Sequence, residues 1–593
     1  MRVSPPKTLT LTLLRLRSLS AASNRDSNPN LHPKWLLLPR PICAVDHLHQ
    51  LLSRAVVSGL LQISHLPFWN SILHSVALGK SPRLAISLFD LIRKGGIFPD
   101  NYTFTSALKA VSFLSLLASG EKLHALSVKL GFYFDTFLIN SLINMYSTCG
   151  SVGSARRVFD QAPSGARDVV SWNSMISGYL QNNLCEEALW VFARMVEGSI
   201  GIDAVTPVSA LIACGRIGGI NLGKRIHALV VVNGFEMNYY LGSSLVSMYA
   251  KCGSVDDARK LFDGMPNRNV VCWTSMISGY TQSGRFRESV ELFREMQVTG
   301  VKADDATVAS VVSSCAQMGA LDQGRYIHAY CDSYGIGKDL SVKNALMDMY
   351  SKCGDVERAL HIFHGLVRRD VFSWTVMISG LAMNGYPNEA LELFSQMEEQ
   401  GEITPNEVTL LAVLSACSHG GLVEKGFYFF DCMTKVYNLN PKIEHYGCMV
   451  DLLGRAKLLT EADKFIREMP VVPDVVIWRS LLFACRAHGD VKLAERTAQR
   501  ILKLDPKKCG GHILLSNVYA TTSRWSDVIL VRKAINDWRI SKQPGCSFIE
   551  LNGIVHEFFA ADTYHLDIEA IHKVLWGINR LLHFESCASD IYE

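Results

Sequence analysis

The 593-residue chain repeats itself with a period of about one hundred residues. Five tryptophans mark the period, at separations of 103, 101, 101 and 104 residues: Trp69, Trp172, Trp273, Trp374 and Trp478. Other residues recur in the same register: Phe89, Phe192, Phe293 and Phe394; Cys-Gly at 149–150, 252–253 and 353–354; His124, His227 and His328. A register shared by four residue types indicates an array of similar structural units.

Each long period divides into three shorter units, and residues 169–203 show how one unit folds. Trp172, Ile176 and Tyr179 are spaced to share one face of a first helix. The segment from Asn183 to Glu186 has the form of a capping box and predicts the start of a second helix. That helix carries the apolar stripe Ala188, Leu189, Phe192 and Met195. A helix pair this small cannot bury its own core, so it must stack on its copies.

Composition and charge indicate which classes of protein the chain can belong to. The chain is 48% hydrophobic and 19% charged, which is typical of a folded, soluble protein. It contains no run of 18 apolar residues, so no membrane span is expected. Residues 1–42 hold seven basic residues and one acid, so the remainder carries about −2 of the net charge of +4. A near-neutral body argues against loose, salt-driven nucleic-acid binding and leaves selective readout or protein binding.

The first residues have the composition of a targeting segment. Residues 1–42 are rich in Ser, Leu and Arg and almost free of acids, which predicts an organellar transit peptide. The segment from Leu13 to Arg17 would form a basic, amphipathic helical turn. This favours the mitochondrion as the destination, with the chloroplast as the alternative.

The three units of each period differ in a fixed order. A tryptophan unit is followed by one with a small-residue first helix and His-Ala in its second helix, and then by one with Met-Tyr-x-x-Cys-Gly. This order resembles plant pentatricopeptide-repeat proteins of the PLS class, whose P, L and S motifs alternate in this way. The resemblance implies an all-α solenoid, a right-handed superhelix of helix-turn-helix repeats.

The resemblance places twelve repeats in residues 66–474. The P motifs are 66–100, 169–203, 270–304 and 371–406; the L motifs are 101–135, 204–238, 305–339 and 407–442; the S motifs are 136–168, 239–269, 340–370 and 443–474. Residues 44–65 resemble the end of an L motif and are interpreted as a degenerate N-terminal repeat. An S motif should then precede Trp69, so whether one repeat is missing stays open.

The pattern changes after the last repeat. Residues 475–541 predict two further helix pairs, and the residues around Asn552-Gly553 predict a small β-hairpin within 542–593. This order resembles the E and E+ extensions of plant RNA-editing factors, which implies a protein-docking element. A C-terminal cap of the solenoid is the alternative interpretation, and both can hold.

We expect no catalytic residues, no cofactor and no metal site. Many full-length members of the family resembled carry a DYW cytidine deaminase domain. His583-Phe584-Glu585 matches the H-x-E motif of that domain. Only eight residues follow, with Cys587 as the one cysteine, so three zinc ligands cannot be assembled. The segment from Gly218 to Lys224 resembles a phosphate loop, but Arg225 replaces the required Ser or Thr. The recurring histidines are interpreted as structural rather than metal-binding.

In the family resembled, two side chains per repeat read one RNA base: the fifth residue, on the first helix, and the last residue. The second residue, often Val, would pack on the base. The pairs matching uracil are Asn70 with Asp100, Asn140 with Asp168, Asn173 with Asp203, and Asn344 with Asp370; Thr274 with Asp304 matches guanine; Ser243 with Asn269 and Thr375 with Asn406 match adenine. No base is assigned to the L motifs, with Thr105, Val208, Ala309 and Leu411, or to Gly447 with Asp474.

Helix capping is the alternative explanation for these Asn and Asp residues. Capping alone does not explain why the fifth residue is Asn, Ser or Thr in seven of eight P and S units but apolar in three of four L units. Read from the N terminus as 5′ to 3′, the array predicts the RNA string U-n-U-U-n-A-G-n-U-A-n-n, where n is unassigned.

The resemblance implies a single-stranded RNA-binding factor, not an enzyme, that selects a C-to-U editing site in organellar transcripts. It would recruit a cytidine deaminase, or another editing protein, in trans through residues 475–593. One alternative is an organellar RNA stability or splicing factor. An alternative of another class is a protein–protein scaffold of the tetratricopeptide type.

Overall fold

The computed structural model describes residues 66–79, 82–94, 96–198, 200–504, 510–537, 546–551, 553–559 and 567–589. The predicted transit peptide and the degenerate N-terminal repeat lie outside these residues. The chain divides into two compact units, residues 1–279 and 280–593, and the boundary falls inside a helix. None of the described helices is both long enough and apolar enough to cross a bilayer.

The described part of the first unit is a stack of helical hairpins. Its helices are α1 (Leu66–Leu78), α2 (Pro82–Lys94), α3 (Asn101–Phe113), α4 (Leu117–Lys129), α5 (Thr136–Thr148), α6 (Val152–Gln161), α7 (Val169–Gln181), α8 (Cys185–Glu197), α9 (Val205–Ile217), α10 (Ile220–Val232), α11 (Tyr239–Lys251), α12 (Val255–Asp263) and the start of α13 (Val270–Gln282). Two helices fall in each repeat interval from 66–100 to 239–269. The first helices of successive repeats pack on one another, α1 on α3 and α3 on α5.

The second unit continues the same design and adds a hairpin. Its elements are α14 (Phe286–Val298), α15 (Asp305–Met318), α16 (Leu321–Tyr334), α17 (Leu340–Lys352), α18 (Val356–His364), α19 (Val371–Met383), α20 (Pro387–Gln400), α21 (Glu407–Gly420), α22 (Val423–Lys435), α23 (Ile443–Arg455), α24 (Leu459–Glu468), α25 (Val475–His488), α26 (Val491–Leu504), α27 (Gly510–Thr521), α28 (Trp525–Asp537), β1 (Cys546–Leu551), β2 (Ile554–Phe559) and α29 (Ile568–Ser589). The predicted all-α solenoid fold is confirmed in each unit.

The tryptophans that mark the sequence period are core residues at the junctions between repeats. Trp172 packs edge-on against Phe159 of the preceding S motif, with ring centroids 4.9 Å apart. Trp273 and Trp374 meet their preceding phenylalanines in the same way, at 5.0 Å. Aromatic pairs in this geometry add to the free energy of simple apolar burial. The ring contact therefore joins one repeat to the next, as a stack of incomplete cores requires.

One local prediction is wrong. The capping box from Asn183 to Glu186 does not form, because α8 begins at Cys185 and its N-cap residue, Leu184, has no side-chain hydrogen bond. Asn183 instead adopts a left-handed conformation, with φ of 60°, and turns the chain between the two helices. Asparagine tolerates this conformation better than most residues, so it serves the turn rather than the cap.

The hairpin lies where the sequence places it and docks on the solenoid of its own unit. Strands β1 and β2 are antiparallel, and Gly553 stands between them with φ of 72°. The Glu550 carboxylate accepts hydrogen bonds from the backbone N–H groups of Asp322, at 2.7 Å, and Gln323, at 3.0 Å. Gln323 Nε2 also donates to the Gly553 carbonyl at 3.2 Å.

Glu550 supplies a cap that helix α16 lacks. The N-cap residue of α16 is Ala320, whose side chain makes no hydrogen bond to the free amides of the first turn. A carboxylate at this end of a helix satisfies those amides and is also favoured by the helix dipole. A residue 228 positions away in the sequence thus completes the helix.

The core role of the tryptophans predicts a large stability cost. Trp374, which is 1% exposed, should cost about 3–5 kcal/mol of unfolding free energy when changed to Ala. Trp525, which is 62% exposed, gives the control, and Trp525→Ala should change the free energy by less than about 0.5 kcal/mol. Denaturant unfolding followed by circular dichroism measures both variants. Equal losses in the two would contradict the assignment of Trp374 to the core.

The hairpin contact predicts protection of two amides. In Glu550→Ala, the Asp322 and Gln323 amides should exchange hydrogen roughly tenfold faster, because their charged acceptor is removed. Hydrogen–deuterium exchange with peptide mass spectrometry measures this rate, with Ser547→Ala on the exposed side of β1 as the control. Unchanged exchange in Glu550→Ala would show that the hairpin does not rest on α16 in solution.

Candidate nucleic-acid interface

The residues predicted to read bases lie at the start of the first helices. The fifth residue of a repeat is in the first turns of its first helix, and the last residue stands just before the next first helix. Asp100, Asp168 and Asp370 are N-cap residues whose carboxylates accept the backbone N–H of the third helical residue. The capping role considered as an alternative is therefore real. It does not exclude readout, because the same carboxylates also bind the fifth residue of the repeat.

Asn173 and Asp203 are held together by a network of hydrogen bonds. Asn173 Nδ2 donates to both carboxylate oxygens of Asp203, at 3.0 and 3.1 Å. Thr206 Oγ1 lies 2.8 Å from Asn173 Oδ1 and 2.7 Å from Asp203 Oδ1, so its one proton is shared between the two oxygens. A carboxylate can only accept, so it fixes which end of the Asn173 amide faces it.

Asn70 repeats this arrangement one period earlier. Its Nδ2 donates to the two Asp100 oxygens at 2.9 and 3.0 Å. Thr103 Oγ1 lies 2.6 Å from Asn70 Oδ1 and 2.7 Å from Asp100 Oδ1. The two P-motif asparagines of the first unit are therefore bound at both ends of their amide groups.

The S-motif asparagines are held more loosely. Asn140 Nδ2 donates to one oxygen of Asp168 at 3.2 Å, and Asn344 Nδ2 to one oxygen of Asp370 at 3.4 Å. The neighbouring hydroxyl belongs to serine here, and it donates to the carboxylate alone. The buried Oδ1 atoms of Asn140 and Asn344 accept no hydrogen bond from any described residue. These amides are bound at one end only.

The hydroxyl sites differ from the amide sites. Thr375 Oγ1 lies 2.8 Å from Thr409 Oγ1, which in turn lies 3.0 Å from Asn406 Oδ1, so a threonine bridges this predicted pair. Ser243 donates to the Tyr240 carbonyl, at 3.1 Å.

The remaining predicted residues also make hydrogen bonds to backbone groups. Asn269 accepts the Cys272 N–H at 3.1 Å. Thr274 donates to the Val270 carbonyl within the first unit, and Asp304 caps α15 in the second unit.

Burial and hydrogen bonding act in opposite directions on the carboxylates. Partial burial disfavours the charge of Asp203, but hydrogen bonds from Thr206 and Asn173 outweigh it and lower the pKa. The pKa values of Asp168 and Asp370 are lowered for the same reasons, with Ser171 and Ser373 as donors. A lowered pKa means that these groups are ionised near neutral pH. Their contribution to stability is present above the unfolded pKa and is lost as the pH falls through the lowered value.

Apolar side chains stand exposed beside the polar pairs. They occupy the second position of their repeats, where a side chain that packs on a base is expected. They are Tyr102, Phe137, Val170, Val205, Tyr240, Val271, Phe372 and Val408. Exposed aromatic and aliphatic groups at regular intervals suit the flat faces of unpaired bases.

The recurring histidines have a structural role. His124, His227 and His328 each place Nδ1 within hydrogen-bond distance of a tyrosine hydroxyl in the next repeat, at 3.0, 3.0 and 2.9 Å. Burial lowers the pKa of all three imidazoles, which are therefore neutral at pH 7. Among the residues with described side chains, no three His, Cys, Asp or Glu residues are grouped to hold a metal. The His583 and Glu585 side chains lie outside that set.

The sequence-based prediction missed the threonines at these sites. Each is the third residue of an L motif: Thr103, Thr206, Thr307 and Thr409. Their separations of 103, 101 and 102 residues follow the register of the tryptophans, so the signal was present. The prediction assigned no base to the L motifs, so it did not consider their third residue.

Family models match the chain over much of its length. The model described as PPR repeat matches residues 170–200, 243–270, 342–371, 408–436 and 444–471. The PPR repeat family model matches 268–317 and 369–419, and the E motif model matches 488–550. The repeat matches lie within 66–474, whereas the E motif match begins at the end of α25 and ends in β1.

Two similar proteins are named for the pentatricopeptide repeat, and one solved structure shares the fold. A mitochondrial pentatricopeptide repeat-containing protein of Arabidopsis thaliana is 35% identical over 558 residues, covering 88% of this chain and 81% of the relative. A chloroplastic one from the same plant is 36% identical, covering 90% and 76%. The crystal structure of pentatricopeptide repeat protein PPR10 with an 18-nt psaJ RNA element has a TM-score of 0.55 at 16% identity, covering 83% of this chain and 82% of that one. At that identity the likeness concerns the fold.

Proposed function

The chain belongs to the pentatricopeptide repeat family, and from this premise we propose that it binds single-stranded organellar RNA by sequence. Each lettered P or S repeat reads one base with its fifth and last residues. The observation that carries the proposal is the set of amide–carboxylate pairs at Asn70, Asn140, Asn173 and Asn344. The RNA-bound structure of PPR10, which shares the fold, supports an RNA ligand.

The chemistry of the pair accounts for a preference for uracil. An amide offers both a donor and an acceptor, so a freely rotating asparagine would suit more than one base. Uracil presents an N3–H donor beside carbonyl acceptors, whereas cytosine presents an acceptor and an amino donor there. Because Asp203 fixes the orientation of the Asn173 amide, the site presents one pattern of donor and acceptor. With Nδ2 held by Asp203, Asn173 Oδ1 remains to accept from the uracil N3–H, whereas cytosine presents an acceptor there and does not match.

The fixed negative charge has a further consequence. Asp203 stays ionised near neutral pH, because its hydrogen bonds hold its pKa low. It therefore keeps the asparagine oriented under physiological conditions, and it also keeps a phosphate at a distance. Binding then depends more on base edges and stacking than on counterion release, in line with the near-neutral charge of the repeats.

We further propose that the bound site directs C-to-U editing of a cytidine a few nucleotides downstream. The E motif at 488–550 supports this, because the resemblance to the E extensions of editing factors implies a protein-docking role for this region. The deaminase would be supplied in trans through residues 475–593. The basic N-terminal segment favours the mitochondrion, and similar proteins named for the mitochondrion and for the chloroplast support an organelle in general.

Two other functions predict different results. A factor for RNA stability or splicing would bind the same string without editing. A protein scaffold would not need Asn at position five bound to a terminal Asp, so the four pairs disfavour it.

Direct readout predicts a base-specific loss. Asn173→Ser, with Asp203 retained, should weaken binding of RNA with uracil at the base assigned to this repeat by about 1–3 kcal/mol. The serine side chain is too short to offer the same donor and acceptor. A gel-shift series with that single base varied measures the effect.

The control for this experiment is Asn233→Ser, since Asn233 is an exposed C-cap residue whose amide binds the Leu229 carbonyl. This variant should bind all four RNAs as the unchanged protein does. If Asn173→Ser weakened all four bases equally, direct readout at this position would be refuted.

The editing proposal is tested in the plant. Sequencing of organellar transcripts from a loss-of-function line should show one cytidine, downstream of a match to the predicted string, that is no longer converted. A complementing transgene carrying Asn173→Ser should restore editing less well than one carrying Asn233→Ser. Normal editing at every site, with altered transcript ends or introns, would favour the stability or splicing function instead.

A further inference from the structure

The proposed base-reading sites fall into two structural classes. The classes differ in the third residue of the repeat that follows the site. Where an L motif follows the site, a threonine hydroxyl lies between the asparagine oxygen and the carboxylate, as at Thr206 and Thr103. Where a P motif follows, Ser171 or Ser373 occupies that position and binds only the carboxylate. The asparagine oxygens of the second class are buried, and they accept no hydrogen bond from the described residues.

The contacts between the asparagine amide and the aspartate carboxylate also differ between the two classes. Asn70 and Asn173 reach both carboxylate oxygens within 2.9–3.1 Å. Asn140 and Asn344 reach one oxygen, at 3.2 and 3.4 Å. A side chain that is bound at both ends loses little freedom when a base arrives, so its geometry is prepared in advance. A side chain held at one end must still be ordered.

We propose that Thr103, Thr206 and Thr409, each the third residue of an L motif, are positioning residues for the base-reading sites of the P motifs before them. Thr103 and Thr206 lock the amides of Asn70 and Asn173. Thr409 holds the Thr375 hydroxyl together with the Val371 carbonyl, which lies 2.7 Å from the same Oγ1 atom. The L motifs thus contribute to readout without contacting a base. Sites with this threonine discriminate more sharply than the serine sites at Asn140 and Asn344. The proposal deepens the proposed function and rests on it.

The arrangement also gives the three-motif order a physical reason. A reading site spans the junction of two repeats, because its fifth residue comes from one and its positioning hydroxyl from the next. In this chain every L motif carries threonine at its third position, whereas the later P motifs carry Ser171, Cys272 and Ser373 there. The identity of the following motif therefore decides how firmly a site is held.

The test changes this third residue at one site of each class in the full-length chain. Thr206→Val keeps the side-chain shape but removes the hydroxyl, and it should lower the preference for uracil over cytosine at the Asn173 base by about three- to tenfold. Ser171→Thr should raise the same preference at the Asn140 base. Thr148→Val, at an exposed threonine bound to the Asn144 carbonyl, is the control and should leave both preferences unchanged.

The measured quantity is the ratio of dissociation constants for two RNAs that differ in one base. A purely structural role of Thr206 would lower the folded fraction and weaken both RNAs alike, leaving this ratio unchanged. An unchanged ratio in Thr206→Val would overturn the proposal. If the unmodified protein showed no preference among the four bases at the Asn173 position, the proposed function itself would fail, so the two failures are distinguishable.

Discussion

The structure depends on the burial of apolar surface between repeats that cannot fold alone. A pair of helices of about thirteen residues each leaves one face uncovered, and only the next pair can cover it. Phe159 on Trp172 and Phe363 on Trp374 show this contact at its most regular. Since the S-to-P junctions at Trp172 and Trp374 are built in the same way, the start of the first helix recurs there at the same place, and the polar side chains beside it recur with it.

That recurrence lets one residue do two things. The last aspartate of a repeat begins the next first helix by accepting its free amides, and it also orients the fifth residue of its own repeat. Asp203 shows both, since it accepts from the Thr206 N–H and from Asn173 Nδ2. The capping interaction fixes the carboxylate, and the fixed carboxylate then fixes the amide. In the proposed function, helix stability and base reading are therefore coupled at the same atoms.

Much of the fold follows from sequence pattern. The spacing of Trp172, Ile176 and Tyr179 gave the buried face of α7, and the pattern around Asn552-Gly553 gave the hairpin. The predicted amide–carboxylate pairs at Asn70, Asn140, Asn173 and Asn344 do come together. The capping box at Asn183 was wrong, because a polar residue before a helix can serve a left-handed turn as well as a cap, and local sequence does not separate the two.

The sequence by itself determined the repeat length, the order of the three motifs and the pairing of four asparagines with the last aspartates of their repeats. Periodicity encodes these, because identical units stack in identical ways. Only the tertiary structure decided which amides are bound at both ends and that Glu550 caps a helix 228 residues away. Both depend on distances of a few tenths of an ångström or on contacts between remote segments. A periodic pattern states which residues are neighbours, but it does not state whether a hydroxyl proton reaches one oxygen or two.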